Sequence, residues 1–303
     1  MKTIFVSIAS YRDTDLQNTL DSLFANAAHP DRVFVGIFLQ IADELDNTTC
    51  LVKPRPNVRI DTVDARAARG PGWARSKVQA MWKGEDFFFQ VDSHMRFAKN
   101  WDELLCEMWA KCPGDKAVLS TYPLPFTPPN DLSADKYVTI KPKGFDVDGV
   151  FLQNSGMVPL TFQGLARNYF ISAGMLFGPS SMIKEVPVDP YIFFTGEEIT
   201  TALRLWTHGY DIYVPNKAIA YHNYAPAPER PRIWQDPTIT YQYKKSSRER
   251  VLWLCGVREA APIGNEIAKY SLGTTRTLKE YEELSGVDFT NQLYFGKKIV
   301  SPK

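Results

Sequence analysis

Apolar and polar residues are arranged along the chain in blocks that predict strands followed by helices. Residues 4–8, 32–40 and 58–63 carry the apolar, β-branched and aromatic side chains that are typical of strands. Apolar residues at helical spacing occur within 15–27, and the segment 66–82 begins as a Gly/Pro-rich loop and continues as a helix. This order predicts an α/β fold containing one half of a doubly wound sheet. Ligands of such sheets bind beyond the carboxyl ends of the strands.

The second half of the chain is predicted to contain shorter elements. We expect helices at 101–111, 197–208, 238–256 and 277–284, and strands at 169–178, 211–215 and 218–221. The proline-rich stretch 122–129 excludes a helix and a central strand, because proline lacks the N–H that both require. Residues 223–245 are rich in proline and charge, and we expect them to be mobile.

The sequence 86–94 combines an aromatic-rich strand with two side chains that bind metals. Three consecutive phenylalanines favour a buried strand. Residues two apart on an extended chain project to the same side, so Asp92 and His94 can converge on one ion. A carboxylate paired with an imidazole suits Mn²⁺ or Mg²⁺ carried by a diphosphate, which suggests an enzyme that handles a nucleotide sugar. The alternative is a turn in which the Asp and Ser side chains bond to the backbone.

Three further features can join this pair. The preceding loop offers glycine amides, a helix N-terminus and the side chains of Arg69 and Arg75 to an anion, or it is a solvated surface turn. His222 follows a short strand and is either a third metal ligand or a hydrogen-bonded structural residue. Glu197 and Glu198 open a helix, where carboxylates stabilise the helix dipole. Alternatively, one of them acts on an acceptor hydroxyl while the other orients sugar hydroxyls.

The composition narrows the range of partners. The 35 basic and 34 acidic residues leave a net charge of +1, which gives no electrostatic case for nucleic acid or an anionic membrane surface. A chain of 303 residues with 44% hydrophobic content can supply the core of a large α/β domain. No apolar stretch reaches spanning length, and the four cysteines lack the paired spacing of a zinc site. We therefore expect a cytoplasmic protein with reduced thiols and no transmembrane segment.

The metal-competent segment and the carboxylate-bearing helix resemble known motifs. The stretch around Asp92-Ser93-His94 resembles the metal-binding segment of GT-A glycosyltransferases, in the retaining enzymes whose usual Asp-x-Asp is Asp-x-His. Residues 195–209, together with the later His222, are similar to the second signature of polypeptide GalNAc-transferases. These motifs occur in the same order as in those enzymes, and the set is more specific than any one of them.

Two other segments are similar to a narrower group. Residues 4–13 and 68–75 resemble the cytoplasmic GlcNAc-transferases that modify hydroxyproline on a ubiquitin-ligase adaptor, and their bacterial relatives. The resemblance implies a GT-A fold, with a central mixed sheet flanked by helices and a C-terminal helical extension. It implies a catalytic domain at 1–225, and we expect 226–303 to form a lid-like loop and helices packed on that domain.

The resemblance also implies a set of functional residues. It implies a UDP-sugar donor and a divalent ion, Mn²⁺ or Mg²⁺, held by Asp92, His94 and His222. The residues implied in donor binding are Ser7, Ser10, Arg12, Asp64, Arg69, Arg75, Asp92 and Ser93. Glu197 and Glu198 would face the transferred sugar and the acceptor. Glu198 stands where GalNAc-transferases usually carry Asn, so either an acceptor contact or a base role is open to it.

These features favour transfer of GlcNAc, or a related HexNAc, from a UDP-sugar to an acceptor hydroxyl with retention of configuration. One alternative is an inverting transferase of surface-glycan synthesis with Glu198 as its base. Others are a non-catalytic nucleotide-sugar-binding protein and a metal-dependent phosphodiesterase or nucleotidyltransferase. Hydroxyproline, serine or threonine on a protein, or a growing glycan, are all compatible acceptors. The stretch 224–237 follows His222 directly, and we expect it to close over bound metal and UDP as a lid.

Overall fold

A computed structural model describes residues 2–42, 49–133, 138–157, 164–225, 230–262, 264 and 266–299. The strands are β1 (Ile4–Tyr11), β2 (Val33–Ile41), β3 (Val58–Asp64), β4 (Phe87–Val91), β5 (Met95–Phe97), β6 (Ala117–Ser120), β7 (Leu124–Thr127), β8 (Asp131–Leu132), β9 (Val138–Phe145), β10 (Phe151–Met157), β11 (Ala166–Asn168), β12 (Met175–Pro179), β13 (Asp211–Val214), β14 (Ala220–His222), β15 (Val287–Asp288), β16 (Leu293–Tyr294) and β17 (Lys297–Lys298). The α-helices are α1 (Leu16–Ala25), α2 (Pro71–Gln79), α3 (Trp101–Ala110), α4 (Ser181–Glu185), α5 (Glu197–Thr207), α6 (Pro237–Leu254) and α7 (Leu278–Ser285).

The strands form one large mixed sheet and smaller ones beside it. The eight-stranded sheet has the order β11-β13-β6-β12-β4-β1-β2-β3. Strands β3, β2, β1 and β4 are parallel, as expected for a doubly wound half, whereas β12 runs antiparallel to both β4 and β6. The predicted α/β class with a central mixed sheet flanked by helices is confirmed.

The aromatic strand β4 lies in the middle of this sheet and is buried on both faces. Phe87 and Phe89 belong to the core that α1 and α3 cover, whereas Phe88 belongs to the core that α2, α4 and α5 cover. Phe89 stacks on Trp101 with ring centroids 5.4 Å apart. This alternation explains why three consecutive phenylalanines fit one strand, since successive side chains point to opposite faces.

The prediction for the proline-rich stretch is wrong in one respect. Leu124–Thr127 is an interior strand of a four-stranded sheet with the order β5-β14-β7-β8. Strand β14 pairs with Leu124 and Pro125, and β8 pairs with Phe126 and Thr127. Because each partner uses only two residues of β7, the missing N–H of Pro125 interrupts no long ladder.

The prediction of a continuous strand at 169–178 is also wrong, because the strand is confined to Met175–Pro179. Side-chain hydrogen bonds replace the ladder just before it. The Ser120 hydroxyl accepts from the Ser172 amide at 2.8 Å and donates to the Met175 carbonyl at 2.6 Å. The resulting turn projects residues 172–174 beyond the end of β4.

Part of 223–245, which is predicted to be mobile, forms regular structure, and residues 226–229 lie outside the described residues. Ile233–Gln235 forms a 3₁₀ turn and α6 begins at Pro237, a residue that suits a helix start. Ile233 and Ile239 are buried in one apolar cluster with Phe193, so this segment packs on the residues before α5. The predicted helices near the C-terminus are confirmed as α6 and α7. None of the helices in the described part of the chain is long and apolar enough to cross a membrane.

Truncation of Phe89 tests the role of β4. We expect Phe89→Ala to lower the free energy of unfolding by about 3–5 kcal/mol, because the ring is fully buried and its loss leaves a cavity. Urea unfolding measures this change. Val147 is fully exposed, so Val147→Ala should stay within about 0.5 kcal/mol of the wild type. Equal stability of both variants would contradict a core centred on β4.

Candidate active site

A cavity of about 560 Å³ opens beyond the carboxyl ends of β1 and β4, where the sheet topology predicts a ligand site. Its volume lies in the range of small-molecule sites. Predicted functional residues that line it are Arg75, Asp92, Ser93, His94, Glu197, Glu198 and His222. The fold thus brings together seven predicted residues from four separate parts of the chain.

Asp92, His94 and His222 form a compact cluster. One ligand atom from each lies within 4.8 Å of the others. Asp92 and His94 follow β4 directly, whereas His222 ends β14, which pairs antiparallel with β5 so that His222 lies opposite Met95. The His222 Nε2 atom lies 3.3 Å from Asp92 Oδ2, and the two imidazole centroids are 4.5 Å apart. The spatial convergence expected of the three residues is therefore present.

Asp13 fixes the orientation of the His94 ring in this cluster. Its carboxylate is buried and lies 2.6 Å from both the Ser93 hydroxyl and His94 Nδ1. Burial raises the pKa of Asp13, but its hydrogen bond with His94 and their charge attraction outweigh that effect and lower it overall. An ionised carboxylate only accepts, so His94 Nδ1 donates to Asp13, and Nε2 is the ring nitrogen that remains to face a ligand. Ser93 lines the cavity, but its hydroxyl is committed to Asp13.

Arg75 joins the cluster to the helix that carries the two glutamates. One guanidinium nitrogen donates to Asp92 Oδ1 at 2.8 Å and the other to Glu197 Oε1 at 2.5 Å. Burial opposes the charged form of Arg75, but Glu197 and Asp92 raise its pKa overall. Burial also opposes ionisation of Asp92, yet the hydrogen bond from His222 and the charge of Arg75 hold its pKa well below the usual range. Both members of the pair therefore stay charged.

Glu198 has a different environment. Its Oε1 accepts from the Ala173 amide at 2.9 Å, and its Oε2 accepts from the Tyr122 hydroxyl at 2.9 Å and the Gln153 amide at 2.8 Å. Burial raises the pKa of Glu198 to about 7, with a further contribution from the Glu197 charge and partial compensation from the three donors. The two adjacent glutamates thus differ in environment: Glu197 is ion-paired with Arg75, whereas Glu198 has a pKa raised to about 7.

The residues of the cluster fit a divalent cation. One carboxylate and two imidazoles are a donor set that suits Mn²⁺, and Asp13 supplies the carboxylate behind a ligating histidine that is common at metal sites. Gly174 keeps the space next to Asp92 free, because a Cβ at this position would lie 2.8 Å from Asp92 Oδ2. The arrangement can thus hold a cation beside a cavity large enough for a small-molecule ligand.

Five residues implied in donor binding do not line the cavity. Ser7 and Ser10 are fully buried in β1, and within the described ranges their hydroxyls have no hydrogen-bond partner. Arg12 has a left-handed backbone with φ 50° and donates its amide to the Gln40 carbonyl. Asp64 ends β3 and pairs with Arg66, and Arg69 borders a second cavity. Their donor contacts stay predictions.

Sequence reasoning missed several residues of the cavity. Asp13 could have been found, because it lies in the loop after the first strand, beside the predicted site. Tyr122 and Gln153 could not, since only tertiary structure brings them to Glu198. Phe194 and Trp234 are partly exposed at the cavity wall and stack with centroids 4.2 Å apart at 16°.

The fold is that of GT-A glycosyltransferases, as similar solved structures show. GalNAc-T7, crystallised with UDP, GalNAc and Mn²⁺, superposes with a TM-score of 0.58 at 15% identity over 99% of this chain. The chain covers 55% of the GalNAc-T7 structure, or about half its length. S. aureus TarS 1–349 in complex with UDP-GlcNAc gives a TM-score of 0.53 at 15% identity, covering 89% of this chain and 69% of TarS. At such identities the likeness shows the fold alone.

The sequence itself identifies the family. The family described as Glycosyltransferase (GlcNAc) matches residues 3–56 and 45–291. This match includes most of the chain and every residue of the metal-competent cluster, so the protein belongs to that family. The comparison with curated proteins gives no significant match.

Substitution of Gly174 tests the geometry around Asp92. We expect Gly174→Ala to weaken Mn²⁺ binding about 10-fold or more, because the new Cβ displaces the Asp92 carboxylate and disturbances next to a ligand typically have such effects. Isothermal titration calorimetry with Mn²⁺ measures the affinity without any substrate. Gly156→Ala is the matched control, since its Cβ meets only side-chain atoms of Lys141 and Thr139. Unchanged affinity in Gly174→Ala would argue against Asp92 as a ligand.

Proposed function

We propose that this protein transfers GlcNAc, or a related HexNAc, from a UDP-sugar to an acceptor hydroxyl with the help of Mn²⁺ or Mg²⁺. The observation that carries the proposal is the convergence of Asp92, His94 and His222 at the wall of a cavity of about 560 Å³. Membership of the Glycosyltransferase (GlcNAc) family supports the sugar assignment. The UDP complexes of GalNAc-T7 and TarS support a UDP-linked donor.

Each residue of the site would have a different role in the transfer reaction. Asp92, His94 and His222 would hold the cation, which when bound supplies positive charge beside the departing diphosphate. Arg75 keeps Asp92 ionised and correctly oriented before any substrate binds. Glu197 is ion-paired with Arg75 and would orient sugar hydroxyls. Such prior fixation of charges is the main route by which a protein stabilises a charged transition state.

We propose retention of configuration, with the leaving phosphate accepting the proton of the acceptor hydroxyl. The support is that both oxygens of Glu198 are occupied by three donors from the protein itself. Inversion with Glu198 as base is the second candidate. The observation in its favour is the raised pKa of about 7, which suits a general base near neutral pH.

Two other functions have less support. A phosphodiesterase or nucleotidyltransferase often uses two metals, whereas the described ranges contain one cluster of suitable ligands, Asp92, His94 and His222. A non-catalytic binding protein would not require a carboxylate that titrates near neutrality inside the cavity. Product analysis separates all three, since transfer or donor hydrolysis releases UDP, diester cleavage releases UMP, and binding alone releases neither.

Other proposals follow from the sequence and concern location and organisation. We propose a cytoplasmic location, which the free thiols of Cys50, Cys106, Cys112 and Cys255 support. We also propose a catalytic domain at 1–225 on which the remainder packs. Contacts of Val251 and Tyr281 within the same apolar cluster as Leu203 of α5 support that arrangement. The acceptor stays open between a protein hydroxyl, including hydroxyproline, and a glycan.

Metal dependence and the donor can be tested together. We expect the wild type to release UDP from UDP-GlcNAc with Mn²⁺ and to lose this activity with EDTA, because the cation neutralises the leaving diphosphate. His94→Ala should lose it as well. His29→Ala is the matched control, because His29 pairs with Glu103 away from the cavity. UDP release by His94→Ala at the wild-type rate would contradict the assigned site, and UMP as the product would contradict transfer.

The role of Glu198 can be tested by Glu198→Gln over a range of pH. Retention predicts that the variant keeps most of its turnover. A base role instead predicts a loss of about 10²–10⁴-fold. It also predicts that wild-type turnover falls as the pH drops below about 7, because the carboxyl then takes up a proton. Steady-state kinetics measure both effects, and Glu283→Gln on the exposed face of α7 serves as control.

A further inference from the structure

A second cavity of about 1090 Å³ lies against the opposite side of α2 from the candidate active site. Trp73, Ser76 and Lys77 of this helix line the second cavity, whereas Arg75 lines the first. The remaining walls come from the segment around Tyr191, from α6, and from residues that follow it. No residue of the metal-competent cluster contributes to it, so the two cavities are separate sites.

The charges of this cavity are unbalanced. Its lining contains five cationic side chains and two anionic ones, although the whole chain has almost equal numbers. The cations are Arg69, Lys77, Arg250, Arg258 and Lys269, and the anions are Glu249 and Glu266. A concave surface with such an excess concentrates positive potential and attracts anions.

Arg250 is the informative member of the set. Its side chain is only 2% exposed, and its Nε donates to Asp189 Oδ2 at 2.5 Å. Its two terminal nitrogens, Nη1 and Nη2, have no hydrogen-bond partner within the described ranges, although the group lies over the rings of Tyr191 and Tyr270. A charged group whose buried N–H donors have no acceptors lowers the stability of the folded protein. A ligand that supplies acceptors for these donors would remove that cost.

The surroundings of Arg250 confirm the shortage of negative charge. A second buried arginine, Arg204, also lies near the Tyr270 ring, 5.7 Å from its centroid, and donates to the Pro187 carbonyl instead of to a carboxylate. Burial, with a contribution from the Arg250 charge, lowers the pKa of Arg204 to about 10. Asp189 is the carboxylate nearest to both guanidiniums, and one negative charge cannot neutralise two.

We propose that the second cavity binds the phosphate group of a small molecule beside Arg250. A guanidinium fork matches phosphate oxygens, and Lys77 and Lys269 are exposed cations at the rim, where Lys269 lies 3.4 Å from Glu266. The rings of Tyr191, Tyr243 and Trp73 in the same lining would contact the organic part of the ligand. This site is independent of the proposed glycosyl transfer.

The proposal can be tested by calorimetric titration of inorganic phosphate into the whole protein. EDTA and a constant chloride concentration remove metal-mediated binding and keep the ionic strength fixed. We expect one phosphate per protein, and a loss of affinity of about 10-fold or more in the double variant Lys77→Ala/Lys269→Ala, because each removes a charge that faces the ligand. Both lysines are exposed, so this variant should fold normally. Lys141→Ala/Lys279→Ala, also exposed, is the matched control and should bind like the wild type.

Variants of Arg250 test whether phosphate binding depends on the guanidinium group of this residue. Arg250→Lys keeps the charge but loses the fork, so we expect binding to weaken while the unfolding temperature changes less than in Arg250→Met. Glycerol 3-phosphate in place of inorganic phosphate reports on the organic part, and equal or tighter binding supports the proposal. Absence of phosphate binding, or equal binding by the wild type and the Lys77/Lys269 variant, would overturn it. Phosphate that competes with UDP would likewise place the anion in the first cavity and refute a separate site.

Discussion

The candidate active site depends on Arg75, which forms ion pairs with two different carboxylates, those of Asp92 and Glu197. Asp92, Glu197 and Glu198 place three carboxyl groups around one cavity. Neighbouring carboxylates repel each other, so each of them opposes the ionisation of the others. Arg75 binds two of them at 2.5 and 2.8 Å. Removal of a partner from a buried ion pair leaves an uncompensated charge, which is strongly unfavourable. The guanidinium therefore holds Asp92 and Glu197 in fixed positions before substrate arrives.

The topology of the sheet places the groups that this arginine connects. The parallel strands β1 and β4 end at the same edge, so Asp13 and Asp92 meet there although 79 positions separate them in sequence. The antiparallel strand β12 brings the turn at 172–174 to the same edge, where Gly174 leaves room for Asp92. His222 arrives through β14 of the neighbouring small sheet. Each residue of the cluster thus lies at or next to a strand end, where the backbone is well fixed.

Local patterns predicted the strands β1 to β4, β13 and β14, the major helices and the cluster of Asp92, His94 and His222. Each of these has a signal in the sequence: an apolar run, a helical period, or metal-competent residues after a strand. The strand at Leu124–Thr127 was missed because the exclusion of proline assumes a long ladder, and this one is short. The contacts of Glu198 with Tyr122 and Gln153 had no local signal, since residues far apart in sequence form them. Donor contacts assigned by resemblance alone matched the cavity least well.

Arg75 and Arg250 are both buried, but their guanidinium groups differ in how many of their nitrogens have carboxylate partners. Arg75 and Arg250 are both almost inaccessible, and each accompanies a carboxylate on an adjacent element. Arg75 has a carboxylate for each terminal nitrogen, so its charge is used to organise the protein's own groups. Arg250 has one carboxylate on Nε, its terminal nitrogens are buried without partners in the described ranges, and the residue lines a cavity with excess positive charge. Since the cost of burying a guanidinium is similar in both places, the unfilled donors of Arg250 point to an anion from outside the protein.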